Sequence, residues 1–90
     1  IEYTRKAASK GLIKAQHKML HHEHNSKNYK EAYHWAKELS NAGEDEGTKF
    51  MADYYYNGQG VKRNKKLAKD LYRTAAAAGN KEAQEILNNL

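Results

Sequence analysis

Three glycines set a register along this chain. Gly11, Gly43 and Gly79 lie at intervals of 32 and 36 residues. Eight positions before each stands a large apolar residue: Tyr3, Trp35 and Leu71. Four positions before come Ala7, Leu39 and Ala75, and four after come the small residues Ala15, Gly47 and Ala83. Eight positions after are Met19, Met51 and Leu87, and eleven before the last two glycines are Ala32 and Ala68. Residues four apart share one face of a helix. A small and large alternation held at that spacing therefore describes helices that approach closely at the small positions and fill the gaps with the large ones. The glycines fall where helices end, in a left-handed conformation open to a residue without Cβ.

The spacing predicts six helices, over 2–10, 12–25, 28–42, 45–57, 64–78 and 81–89. Asn28, Asn64 and Asn80 stand just before helical runs, where an asparagine side chain can cap free backbone amides. The absence of proline and the abundance of alanine favour the same reading. A helical hairpin of this kind cannot bury its apolar stripe alone, so neighbours stack. The expectation is an all-α chain of stacked antiparallel helix pairs. It spans 1–90 as one repeat domain: a half-repeat over 1–11, an irregular repeat over 12–43, a full repeat over 44–79 and a terminal capping helix over 80–90.

Within Gly47 to Gly79, Met51-Ala52, Tyr55, Asn57-Gly58-Gln59-Gly60-Val61, Asn64, Ala68, Leu71-Tyr72 and Ala75-Ala76 occur in order. This pattern resembles a Sel-one-like repeat, a relative of the tetratricopeptide repeat. The stretch from Leu12 to Gly43 departs from it. It lacks the Gly-x-Gly-Val loop, carries Leu20 where the full repeat has Ala52, and carries Glu23 where it has Tyr55. The resemblance implies a right-handed alpha-alpha superhelix, a solenoid of antiparallel helix pairs, and with it an adaptor or scaffold that assembles protein complexes.

Composition narrows the alternatives. No cysteine is present, which removes disulfides, thiolate metal sites and cysteine nucleophiles, and with them the redox clue to compartment. The 16 Lys and Arg against 11 Asp and Glu give a net charge of +5, but the signs are interspersed as on a solvated helical surface. Apolar runs are too short to span a membrane, and no signal peptide is visible, so a soluble chain is expected. The sequence opens at Ile1 in mid-pattern without an initiator Met, which reads as a fragment or a processed form.

Several local features bear on chemistry. His17, His21 and His24 lie on one stripe of the second expected helix, and imidazoles at that spacing can converge on a metal ion. The plainer reading, a solvated polar face, is preferred because metal sites usually recruit a ligand from another element. In the run Tyr54-Tyr55-Tyr56 the first two match core positions of the repeat, leaving Tyr56 on the open side as a recognition candidate. Lys62-Arg63-Asn64-Lys65-Lys66 and Lys69 suggest phosphate or anionic lipid, but without interleaved aromatics they read as a solubilising outer helix, arguing against nucleic acid. Gly58-Gln59-Gly60 lacks the Lys-Ser/Thr of a phosphate loop. Glu44-Asp45-Glu46 reads as an exposed acidic helix start that suits the dipole.

In tetratricopeptide-like solenoids the first helix of each pair lines the concave side. Carried over by position, the partner-binding face comprises Lys14, His17, His21 and His24, then Glu46, Lys49, Asp53, Tyr56 and Asn57, then Glu82, Glu85 and Asn89. It runs from basic and imidazole-rich to acidic. The function expected is non-enzymatic binding of a protein or peptide, without a cofactor, as an adaptor or scaffold. Its more specific form is a bacterial, immunity-type binder of an effector. A metal- or ligand-binding module using the histidine stripe is the alternative.

The register places Trp35 inside the solenoid. Replacing it with Ala is expected to cost roughly 3–5 kcal/mol in urea denaturation, as large aromatic truncations do. A change below about 1 kcal/mol would place Trp35 on the surface instead.

Overall fold

The computed structural model describes residues 13–90 as five α-helices: α1 (Ile13–Asn25), α2 (Tyr29–Asn41), α3 (Asp45–Asn57), α4 (Lys65–Ala77) and α5 (Lys81–Asn89). No strand occurs among the described residues. The helix expected over 2–10, with Tyr3, Ala7 and Gly11, lies outside them. Each helix packs against the next in sequence. None is long and apolar enough to cross a membrane.

The helix ends explain the register. Gly43 and Gly79 adopt φ of 88° and 101°. At each, two backbone bonds close the helix. Glu44 N donates to Leu39 O and Gly43 N to Ser40 O; Asn80 N donates to Ala75 O and Gly79 N to Ala76 O. This Schellman pattern satisfies carbonyls that the helix leaves open. The end of α1 uses the same bonds, from Asn28 N to Glu23 O and Lys27 N to His24 O, but Lys27 takes the left-handed position at φ 62°.

Caps follow the asparagines in two of three cases. Asn64 accepts from Leu67 N at 3.0 Å and Asn80 from Ala83 N at 2.9 Å. Asn28 does not cap α2. Its amide donates instead to Glu23 Oε2 at 2.8 Å. Glu23 is buried where the full repeat has tyrosine, and a buried carboxylate needs hydrogen-bond donors more than the helix start needs a cap.

Two apolar clusters form the core. Met19, Leu20, Ala32, Trp35, Ala36, Leu39 and Tyr54 make the first, with Ala15, Phe50 and Met51 packed against it. Ala52, Ala68, Tyr72, Ala75 and Ala83 make the second, with Tyr55, Tyr56, Leu71, Ile86 and Leu87 around it. Trp35 is only 6% exposed. Helix α3 contributes to both clusters. Tyr54 is fully buried, while Tyr55 is partly buried and shares a 2.9 Å hydroxyl bond with Tyr33.

The tightest approach is at Gly47. A Cβ there would lie 2.6 Å from both Ala36 O and Leu39 Cβ and 2.7 Å from Ser40 N. Two of these are backbone atoms that cannot swing aside. Gly47→Ala is therefore expected to destabilise by about 1–3 kcal/mol, although alanine is the better helix former. Lys27→Gly, which relieves a left-handed lysine, should instead stabilise by roughly 0.5–1 kcal/mol. Chemical denaturation of both variants checks the pair, and a neutral Gly47→Ala would mean that α2 and α3 have room to spare.

Candidate functional site

Alternate helices α1, α3 and α5 meet along one side through long polar side chains. This follows from the consecutive packing of antiparallel helices, which sets every second helix on the same side of the solenoid. At the α1–α3 junction, His17 Nε2 lies 3.2 Å from Glu44 Oε1, and His17 Nδ1 lies 3.6 Å from Glu46 Oε1. His21 Nε2 lies 2.6 Å from the same Glu46 oxygen. The His21 ring meets Phe50 edge-on, with centroids 5.5 Å apart.

His24 parts from the other two. Its Nδ1 pairs with the buried Tyr54 hydroxyl at 2.9 Å, and its ring packs among Tyr29, Phe50 and Tyr54. The three stripe histidines thus do not converge on one point. His17 and His21 converge with Glu46, whose three ligand atoms lie within 4.8 Å of one another. The acidic helix start is half-buried, contrary to the exposed position expected of it, because Glu44 and Glu46 turn towards the imidazoles.

At the α3–α5 junction, Lys49 Nζ lies 2.9 Å from Asp53 Oδ2 and 3.2 Å from Glu82 Oε2. Asp53 also accepts from the Tyr72 hydroxyl. Burial alone would lower the Lys49 ammonium pKa, but Asp53 and Glu82 reverse this and raise it. Burial raises the Tyr54 hydroxyl well above its usual range, helped by the Asp53 charge. It raises Tyr72 too, aided by the hydrogen bond to Asp53. Lys49 and Asp53 largely neutralise each other, so neither stands as a free charge on the face.

Beyond this pair the face opens into a hollow of about 420 Å³ lined by Tyr56, Tyr72, Glu82, Glu85, Ile86, Asn89 and Leu90. Lys65 of α4 sits 5.4 Å above the Tyr56 ring. Lys14 is exposed at the opposite end of the face, and Asn57 is exposed at the end of α3. The basic residues Lys62, Arg63, Lys66 and Lys69 are exposed at and after the α3–α4 loop. Sequence reasoning overlooked Glu44 as a partner of His17, and Tyr72, Ile86 and Leu90 as walls of the hollow. Nothing in the spacing marked Glu44, since residues two apart do not share a helix face and its nearness to His17 is set across helices.

Lys49, Tyr54 and Tyr72 all hold their protons more tightly in the folded chain than in the unfolded one. Their contribution to stability is full below about pH 9, where the unfolded groups are also protonated. It declines as pH rises past that point, because the unfolded chain then releases protons that the folded chain keeps. The urea midpoint is therefore expected to fall between pH 9 and about 11, and Tyr54→Phe should make the fall shallower. An equal slope in the variant would contradict the burial argument for Tyr54.

The Sel1 repeat family model matches residues 1–12, 26–44 and 47–80. The unmatched 13–25 is α1, the helix that carries the imidazoles. Among solved structures, the crystal structure of a Sel1 repeat protein from Oxalobacter formigenes is 28% identical. It superposes with a TM-score of 0.88 over 99% of this chain and 70% of that one. The architecture is the same right-handed solenoid of helix pairs. No curated protein matches the sequence.

Proposed function

The chain belongs to the Sel1 repeat family, whose repeats are commonly protein–protein interaction modules, and on that premise we propose that it binds a protein or peptide through the face of α1, α3 and α5. The observation that carries this is the hollow beside Tyr56. Tyr56, Tyr72 and Ile86 supply apolar lining, and the exposed Glu82 and Glu85 line it as well, Glu82 with Lys49 Nζ 3.2 Å away. Such a site suits an apolar side chain flanked by Lys or Arg. Aromatic anchors in a pocket with a charged rim are where binding energy concentrates.

The remainder of the face supports a defined direction for the bound segment. Lys14 stands exposed at one end, where Glu44 and Glu46 pair with the imidazoles, and Glu82 and Glu85 are exposed at the other, so the acidic α5 end steers the basic end of the segment and helps to fix its register. The segment's basic end lies over α5. In this reading the chain is a non-enzymatic adaptor or scaffold. Its narrower form, an immunity-type binder that occupies an effector, rests on kinship alone. The family fold is typically a non-enzymatic interaction module.

The test begins by capturing a partner from native extract on the immobilised chain, with identification by mass spectrometry. The purified partner is then titrated against variants. Tyr56→Ala and the double charge reversal Glu82→Lys with Glu85→Lys should each weaken binding at least about tenfold. Lys69→Ala, on the outer helix, should leave it unchanged. Loss of binding with Lys69→Ala but not with Tyr56→Ala would move the site to the basic surface and overturn the proposal.

A further inference from the structure

We propose that His17, His21 and Glu46 form a site for one divalent transition-metal ion, zinc foremost, bridging α1 to α3. This goes beyond the protein-binding reading and stands on separate geometry. Zinc takes imidazole nitrogen and carboxylate oxygen at about 2.0–2.2 Å, so neighbouring ligands of a tetrahedral site lie about 3.4 Å apart. Here the Glu46 oxygen lies 2.6 Å from His21 Nε2 and 3.6 Å from His17 Nδ1, and all three ligand atoms fall within 4.8 Å. Side-chain shifts of under about 1 Å bring them to zinc geometry. The pair four apart on α1 supplies two ligands from one helix turn, and Glu46 supplies the third from the neighbouring element.

A second feature points to a metal ligand. His17 presents its other nitrogen, Nε2, to Glu44 Oε1 at 3.2 Å. With Nε2–H donating there, Nδ1, 3.6 Å from Glu46 Oε1, is left as the lone-pair nitrogen. A carboxylate holding the far nitrogen of a metal-bound imidazole fixes its tautomer and raises its basicity. Phe50, edge-on to the His21 ring, limits that ring's rotation. The two carboxylates also balance the double charge of the ion. His24 lies outside this group, its ring packed among Tyr29, Phe50 and Tyr54. The half-exposed His21 side chain leaves the site open to solvent. Three protein ligands leave a fourth position for water or for a donor from a bound partner.

Calorimetric titration of the untagged, metal-free protein with zinc chloride tests this. One ion per chain is expected, with micromolar or tighter affinity and a raised melting temperature. Cobalt(II) at the same site should give the visible absorption of a tetrahedral ion. His21→Ala and Glu46→Gln should each abolish the thermal shift. Glu44→Gln should weaken binding by about tenfold or more, as loss of such supporting carboxylates does. His24→Ala should leave the affinity intact. Glu46→Gln is close in shape to the native residue and half-exposed, so circular dichroism should show an intact fold. Binding that survives Glu46→Gln, or depends equally on His22 and His24, would show only scattered surface imidazoles and overturn the site. Neither outcome bears on whether Tyr56→Ala disrupts partner binding.

Discussion

The separation of α2 and α3 is set by the absence of a side chain at Gly47. Ala36, Leu39 and Ser40 occupy the space in which any Cβ would sit, and the rest of the solenoid depends on that closeness. Only at this spacing can the Ser40 and Thr48 hydroxyls bond at 2.7 Å. Only then does Tyr54 reach back between α1 and α2, and the start of α3 come within range of the α1 imidazoles. The loop after α3 repeats the device, since a Cβ on Gly60 would collide with the backbone of Tyr29 and Lys30. Small residues thus fix distances, and large ones fill whatever volume those distances leave.

Most of this architecture was legible in the residues because it rests on local chemistry. A glycine eight positions from a large apolar residue and four from a small one states both where a helix ends and which face it buries. The helices α1 to α5 accordingly begin and end close to where periodicity puts them. Trp35, Leu39, Ala68 and Ala83 are buried as their positions imply. What failed lies in the irregular repeat. Asn28 has the residue type and position of a cap, yet Glu23 draws its amide away. That competition depends on Glu23 being buried, which is a tertiary fact. Lys27 stands in a conformation normally signalled by glycine, so the end of α1 carried no sign of its own.

The polar face was half legible for a related reason. Spacing along one helix assigns residues to a stripe of that helix, and likeness to tetratricopeptide-like solenoids, carried over by position, set His17, His21, Lys49, Asp53, Tyr56, Glu82 and Glu85 on one side. It cannot pair residues across helices. That His24 turns to Tyr54 while His21 turns to Glu46 depends on the height of α1 relative to α3, which the Gly47 contact fixes. The neutralisation of Lys49 by Asp53 and Glu82 is likewise a matter of neighbours. The face is therefore less charged than its residues suggest.

Helix α3 buries one side in each of the two apolar clusters, with Tyr54 and Phe50 facing the first, and Ala52, Tyr55 and Tyr56 bordering the second. The repeat written in the sequence, from glycine to glycine, joins α3 to α4. The packing extends past it by one helix, since α3 packs on α4 and also closes the core of the hairpin before it. Duplication or exchange of a whole written repeat therefore always carries one finished surface and one surface made for a neighbour. A lineage of such chains can lengthen by tandem copying only while each copied first helix still matches the hairpin that precedes it. The residues that govern that match are the ones at Gly47 and Tyr54, not those that line the exposed face. The exposed face is thereby left free to diverge from copy to copy.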